Sequence, residues 1–483
     1  MKTFKKVLLW LAAIPLALIA AVVVVQIYYA LTPVPLSKEA EELNARAAKL
    51  PTVTENGYRL NGLLAPRGQD PVVYGRCLVN ASEKRRDDEK ASGKEKPSGD
   101  DQAAWDAYWK DSSARLTELQ EKCLEGGAKM AFPKALTDGK VNRPMSIEAW
   151  HGLAQLVPEA ELIARAEAIL AGGPRRLGAE VDSPIPTWSG LMTFERWRIA
   201  SDFVHWENGN EGGAVAGWAS DIRHWSKSAH ESLIGAMLAV AAQTQATLAL
   251  QNAAARSGQV NDALAAAAFS ALSPIEAMPA VVADSMFAEW QTYSSMLNAA
   301  TVSPSFGAAL GIDRKFIHRA TDRLARFVFD QNDTINRFAE TNLWTQDALR
   351  KVASGQESPE FPMEWAAFGC TTGGDWGMLC LPFMRNPVGR ILAAIAAPIY
   401  TNYGTRVADL RNLASATRLT IEARRRGLSG DALAAFVANA PADMRDVFTG
   451  KPFEYDAAKK ELRPVLREKN TVLGEKGPYA LPL

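Results

Sequence analysis

Along this chain the spacing of apolar residues changes character once, at about residue 31. From Val7 to Leu31 nearly every position is apolar, with Gln26 and a few aromatic hydroxyls as the interruptions; beyond it, apolar residues recur at helical intervals among polar ones. At about 1.5 Å per residue the first run makes a helix of roughly 37 Å, enough to cross the ~30 Å hydrocarbon layer with some tilt. Pro15 is tolerable in such a helix, and Trp10 and Tyr28-Tyr29 stand near its ends, where amphipathic rings prefer the headgroup level. Lys2, Lys5 and Lys6 precede the run, so the positive-inside rule predicts a cytoplasmic stub over 1–6, a transmembrane anchor over 7–31 and the bulk of the chain outside. A cleaved signal peptide carries a shorter apolar region ending in small-x-small, and Gln26-Ile27-Tyr28-Tyr29 offers no such site. With no cysteine near the end of the run, a lipoprotein is disfavoured.

The rest reads as mainly α. A membrane-proximal region over 32–145 opens with a short polar helix between Leu36 and Leu50, capped by Ser37, and Asn56-Gly57-Tyr58 then punctuates the chain. Within it, 83–101 is so charged and so poor in large apolar residues that it is expected to be a disordered, solvated loop. From 146 to 353 the pattern predicts a helical-hairpin or solenoid-like domain. Ser146 and Thr187 are candidate caps there, Gly172-Gly173-Pro174 and the Asn208 to Gly213 stretch are breaks, and Ser273-Pro274-Ile275-Glu276 has the form of a capping box. The alanine-rich helix opened by Ser232-Leu233 carries Gln243, Thr244, Gln245, Thr247 and Gln251, too polar for a second crossing, and is expected in the interior. The C-terminal region, 354–483, is helical again from about Arg406 to Arg426, with a short β-hairpin near 446–463 turned at Thr449-Gly450-Lys451-Pro452.

Composition narrows the functional classes. Lysine plus arginine (54) balances aspartate plus glutamate (54), so no global field favours nucleic acid. The four cysteines pair most simply along the chain, Cys77 with Cys123 and Cys370 with Cys380, in an oxidising compartment; four buried thiols are the alternative. No zinc knuckle, Walker loop, nucleophile elbow or dinucleotide fingerprint is present, so no cofactor or metal is expected.

Three passages carry a resemblance: Asn56-Gly57-Tyr58 with Gly62 and Ala65-Pro66, then Asn386-Pro387-Val388-Gly389-Arg390, then Phe448-Thr449-Gly450-Lys451-Pro452. Together the chain resembles uncharacterised membrane-anchored, mostly helical envelope proteins of proteobacteria. The resemblance implies a bacterial inner-membrane location, single-pass, with the bulk periplasmic, and brings no active-site residue with it.

Among candidate sites, Asp221 and His224 stand at i and i+3 and could orient an imidazole, although helix capping or a surface ion pair is the plainer reading for that neighbourhood. Trp188, Trp197, Trp206, Trp218 and Trp225 recur at roughly helical intervals and could line a groove, although rings so spaced more often lock helices together. Trp376, between Cys370 and Cys380, could be presented by a stapled loop. The expectation is a periplasmic binding or scaffolding body for an envelope protein partner; a cell-wall-directed hydrolase with carboxylates brought together only in space, and a periplasmic inhibitor of immunity type, are the alternatives.

Overall fold

The computed structural model describes residues 20–49, 53–91, 102–137, 147–176, 188–229, 231–302, 329–360, 385–386, 389, 400–469, 472–473 and 476–483. The positions read for Ser146, Thr187, Cys370, Trp376 and Cys380 lie outside them, as does 92–101 of the charged stretch.

The chain is mainly helical, ending in a small antiparallel β element. The described end of the apolar run is α1 (Ala20–Leu31). After it come α2 (Lys38–Ala47), α3 (Glu55–Asn61), α4 (Pro71–Ala91), α5 (Gln102–Glu121), α6 (Lys134–Thr137), α7 (Ile147–Ala154) and α8 (Ala160–Ala171). The central group is α9 (Trp188–Glu207), α10 (Glu211–Ser228), α11 (Leu233–Arg256), α12 (Asp262–Leu272), α13 (Met278–Asp284) and α14 (Met286–Val302). Then follow α15 (Gln331–Ala353), α16 (Thr401–Arg425) and α17 (Gly430–Ala438).

Helix α11 is the axis of the core. It opens where expected, and Ser232 caps it: Ser232 Oγ accepts the Gly235 amide at 3.0 Å. Alanine on most of its faces lets α9, α10 and α16 pack closely against it. Its polar side chains are buried and only partly partnered, with Thr247 Oγ1 and the amide oxygens of Gln243, Gln245 and Gln251 unsatisfied among the described residues. Gln243 Nε2 donates to the Ile222 carbonyl and to Ser226 Oγ, and Gln251 Nε2 reaches Thr420 Oγ1 of α16 and the Pro482 carbonyl. Although α11 is long and apolar enough to span a bilayer, it is mostly buried within the protein. One continuous hydrophobic core runs from Leu60 to Leu483, drawing on both sides of the divisions at 145/146 and 353/354.

Several local expectations are corrected. Asn56-Gly57-Tyr58 lies inside α3 rather than breaking the chain. Asn56 Nδ2 donates to the carbonyls of Ile169 and Gly173, tying α3 to the end of α8. Where α3 crosses α4, a Cβ on Gly62 would lie 1.8 Å from the Pro71 carbonyl oxygen and one on Gly75 1.9 Å from that of Tyr58, so the crossing exists only for glycine. Residues 83–91 are helical, not loop, because their charges are paired: Arg115 with Asp88 at 2.9 Å across the α4–α5 hairpin, Arg85 Nη1 with Ser112 Oγ at 2.7 Å, and Ser112 with Glu89 at 2.7 Å. The Ser273 capping box is not made. Its hydroxyl donates to the Ser270 carbonyl, and Glu276 instead reaches Arg411 and Arg418 of α16 at 3.0 and 2.6 Å.

The β element also differs in its turn. Strands β1 (Tyr455–Asp456) and β2 (Glu461–Leu462) pair antiparallel, Tyr455 opposite Leu462, and β5 (Leu481–Pro482) adds to β2; β3 (Val465–Leu466) pairs separately with β4 (Gly477–Pro478). The turn between β1 and β2 is 457–460, so Thr449-Gly450-Lys451-Pro452 precedes the hairpin. There Asp446 Oδ1 accepts the amides of Phe448 and Thr449, and Asp446 Oδ2 accepts from Asn412 of α16.

Cys77 and Cys123 form a disulfide that ties α4 to the 3-10 turn after α5. It closes a loop across a sequence separation of 46, and removing it with Cys77→Ser should cost about 2–4 kcal/mol, read as a lower thermal midpoint, with the reduced wild type behaving alike. Equal midpoints for oxidised and reduced wild type would contradict this.

Candidate functional site

The tryptophans fill the core instead of lining a groove. Trp188, Trp206, Trp218 and Trp225 are buried; Trp206 stacks on Trp218 at 5.9 Å between α9 and α10, and Trp188 lies 6.2 Å from Trp225. Trp197 is half-buried against Phe194. Each large ring gains more by removal from water than a short polar helix face could offer in return, so they lock α9 to α10.

Beneath these rings lies a centre of buried charge. Arg175, only 2% exposed, sits with its guanidinium 5.7 Å over Trp188 and 5.5 Å over Trp225. Its amide donates to Glu231 Oε2 at 2.8 Å. Burial works against the Arg175 charge, with Glu231 and Glu195 opposing that effect, but a guanidinium does not deprotonate in proteins. On α9, Glu195, Arg198 and Asp202 follow at i, i+3 and i+7, one side of the helix. Arg198 meets Glu195 at 3.2 Å and contacts Asp221 of α10, and both carboxyls are almost wholly buried. Asp202 lies against α10 at Gly217, where any Cβ would strike its Oδ2.

Burial sets the protonation of this centre. It raises Glu195, with Arg198 and Trp225 opposing it, and pushes Asp202 up to about 7 despite Arg198. Glu231 is likewise pushed up to about 7, against the pull of Arg175. His224 is driven down to about 4 by burial and by the surrounding cations Arg198, Lys227, Arg175 and Arg223. The imidazole is therefore neutral near pH 7 and too weak a base for efficient proton abstraction. Its Nδ1 faces Ser220 Oγ at 3.3 Å while Asp221 is engaged by Arg198, so the Asp221–His224 pair considered from the sequence is not formed. His151, unremarked in the sequence, meets Glu207 at 2.7 Å. Among the described residues no group of three or more His, Cys, Asp or Glu is placed to hold a metal ion.

A different polar site lies where α1 meets the body. Gln26, Tyr29, Asp330, Asn332, Arg385 and Asn386 line a cavity of about 470 Å³. Arg385 Nη2 donates to the Tyr29 carbonyl at 3.3 Å, its guanidinium lies 5.3 Å over the Tyr29 ring, and its Nε stands 3.4 Å from Asp330 Oδ2. Asp330 caps α15 by accepting the Asp333 amide. Asn386 accepts the Asp330 and Gly389 amides on Oδ1 and donates to the Asp330 carbonyl at 2.9 Å, so the second passage of the resemblance holds this corner together. The segment after α1 is laced to α15: Asn332 Nδ2 donates to the Val34 carbonyl, Asn336 Nδ2 to that of Pro35, and the Ser37 amide to Asn336 Oδ1. Helix α2 continues the attachment, packing Ala40, Leu43 and Ala47 on Phe287, Trp290 and Phe338.

Compared with protein-family models, curated proteins and solved structures, the chain matches none. Of these features, the charge centre was partly readable, since Glu195 and Asp202 fall in register with the apolar stripe of Met192, Ile199, Phe203 and Trp206. The cavity was not, because its walls come from segments some three hundred residues apart.

Proposed function

We propose that this protein is a single-pass inner-membrane protein, with its N-terminus cytoplasmic and a stacked helical-hairpin or solenoid-like body in the periplasm, where it binds or scaffolds a protein partner of the envelope. The observation that carries the location is the polarity of α1. Its apolar side chains Val23, Val24, Ile27, Tyr28 and Leu31 face outward, Leu31 at 76% exposure, while Gln26, at 5%, is turned inward. Val22, Val25 and Tyr29 share the inward stripe, at helical spacing. A helix in water buries its apolar side; a helix in lipid shows lipid its apolar side and keeps polar groups against protein. The lysines before the run give the orientation, and the Cys77–Cys123 disulfide fits an oxidising compartment.

Binding is favoured over catalysis by the state of the ionisable groups. Glu195, Asp221 and Glu231 are closed off beneath tryptophans or engaged by arginines, with no room for a polymer between them. Purified full-length protein incubated with peptidoglycan should release no soluble fragments, while cross-linking in intact cells should give an adduct of discrete mass. Release of cell-wall fragments, abolished by one carboxylate substitution, would overturn this reading.

A further inference from the structure

We infer that the cavity between α1 and the α15 corner is a binding site for one zwitterionic phospholipid headgroup, a phosphodiester carrying a primary ammonium. This rests on the membrane reading of α1 given above. Depth is the first argument. The apolar run is roughly 37 Å long as a helix and the hydrocarbon layer ~30 Å, so about 7 Å, close to five residues, remains. With the lysines before the run kept at the cytoplasmic boundary, as the positive-inside rule requires, the excess would emerge on the far side. The emerging residues are about Ile27 to Leu31, which puts Gln26 at the boundary; with Tyr29 and Ala30 it forms the anchor's share of the cavity wall. The cavity thus opens at headgroup level.

Chemistry is the second argument. Among the described residues, the walls carry one cation, Arg385, and one carboxylate, Asp330, beside the amides of Gln26, Gln331, Asn332 and Asn386. The described lining balances one positive against one negative group, which suits a ligand with one negative and one positive end better than a simple anion. Arginine offers a planar set of donors suited to phosphate oxygens, and Arg385 is held in place by Tyr29 and Asp330. The volume, about 470 Å³, is that of a small-ligand site. Gln26, a polar side chain in an otherwise apolar run, is buried and is among the residues that the anchor turns toward the cavity.

The test uses full-length protein in nanodiscs of phosphatidylethanolamine or of phosphatidylglycerol, released into the gas phase for native mass spectrometry. Wild type should retain one phosphatidylethanolamine at least tenfold more than phosphatidylglycerol. Arg385→Ala should lose that preference, as should Gln26→Leu, which leaves the charged corner intact and guards against misfolding of the first variant. Millimolar inorganic phosphate should not displace the lipid. Equal retention of both lipids, retention unchanged in both variants, or displacement by phosphate alone would each overturn the proposal. Alkaline extraction of the same proteins separates the two readings: wild type found in the soluble fraction defeats the anchor itself, whereas wild type in the membrane pellet without lipid preference defeats only the headgroup site.

Discussion

Arg198→Ala should destabilise the protein by about 3–5 kcal/mol, the range for stripping the partner from a buried charge. Arg198 is the cation that stands between Glu195 and Asp221, which are 0% and 1% exposed. Without it two carboxyls on adjacent helices face each other in a medium that solvates neither. The loss should fall mainly on the α9–α10 contact, so tryptophan fluorescence from Trp206 and Trp218 should report it together with global unfolding. Arg198→Ala combined with Asp221→Asn should recover part of the loss, because the second change removes one of the stranded charges. A midpoint for Arg198→Ala equal to wild type would show that the centre is solvated and that its ion pairs contribute little.

The second large effect is a dependence of stability on pH to which Asp202 contributes, beside Glu231 and Asp409, which burial also pushes up to about 7. Burial pushes its folded pKa up to about 7, from an ordinary value of 3.8. A group raised on folding binds more protons in the folded state, so its contribution is fully present below about pH 4 and is lost as pH climbs through 7. At about 1.4 kcal/mol per unit, the difference reaches up to about 4 kcal/mol by pH 8. Asp202→Asn keeps the shape against Gly217 and removes the ionisation. It should therefore raise the thermal midpoint at pH 8 and change it little at pH 4.5. Glu231 and Asp409 leave a residual slope in that variant. Parallel curves for wild type and Asp202→Asn from pH 4.5 to 8 would contradict the burial argument.

What could be read from the sequence was what local chemistry decides. Ser37 is a cap because a hydroxyl before a helical run meets free amides whatever lies around it, and it accepts as expected; Ser232, read as the opening of α11, does the same. Helix α16, expected from about Arg406 to Arg426, spans Thr401–Arg425, and the interior placement of α11 followed from its glutamines and threonines. Failures came where a distant partner outweighed a local preference. Glu276 left its capping role for two arginines of α16, and Asp221 turned from His224 to Arg198. Charged residues 83–91 form a helix because α5 supplies matching charges, which no reading of that stretch alone could contain. The resembling passages proved to be backbone fastenings in the described residues: Asn56 at the end of α8, Asn386 at the start of α15, and the turn at Asp446. Such fastenings fix a fold.

On the function proposed above, the apolar run holds the helical body on the outer side of the membrane. Fusing alkaline phosphatase, and separately β-galactosidase, after Leu483 of the full chain tests it most directly. The account predicts an active phosphatase and an inactive galactosidase; an active galactosidase with an inactive phosphatase would contradict it.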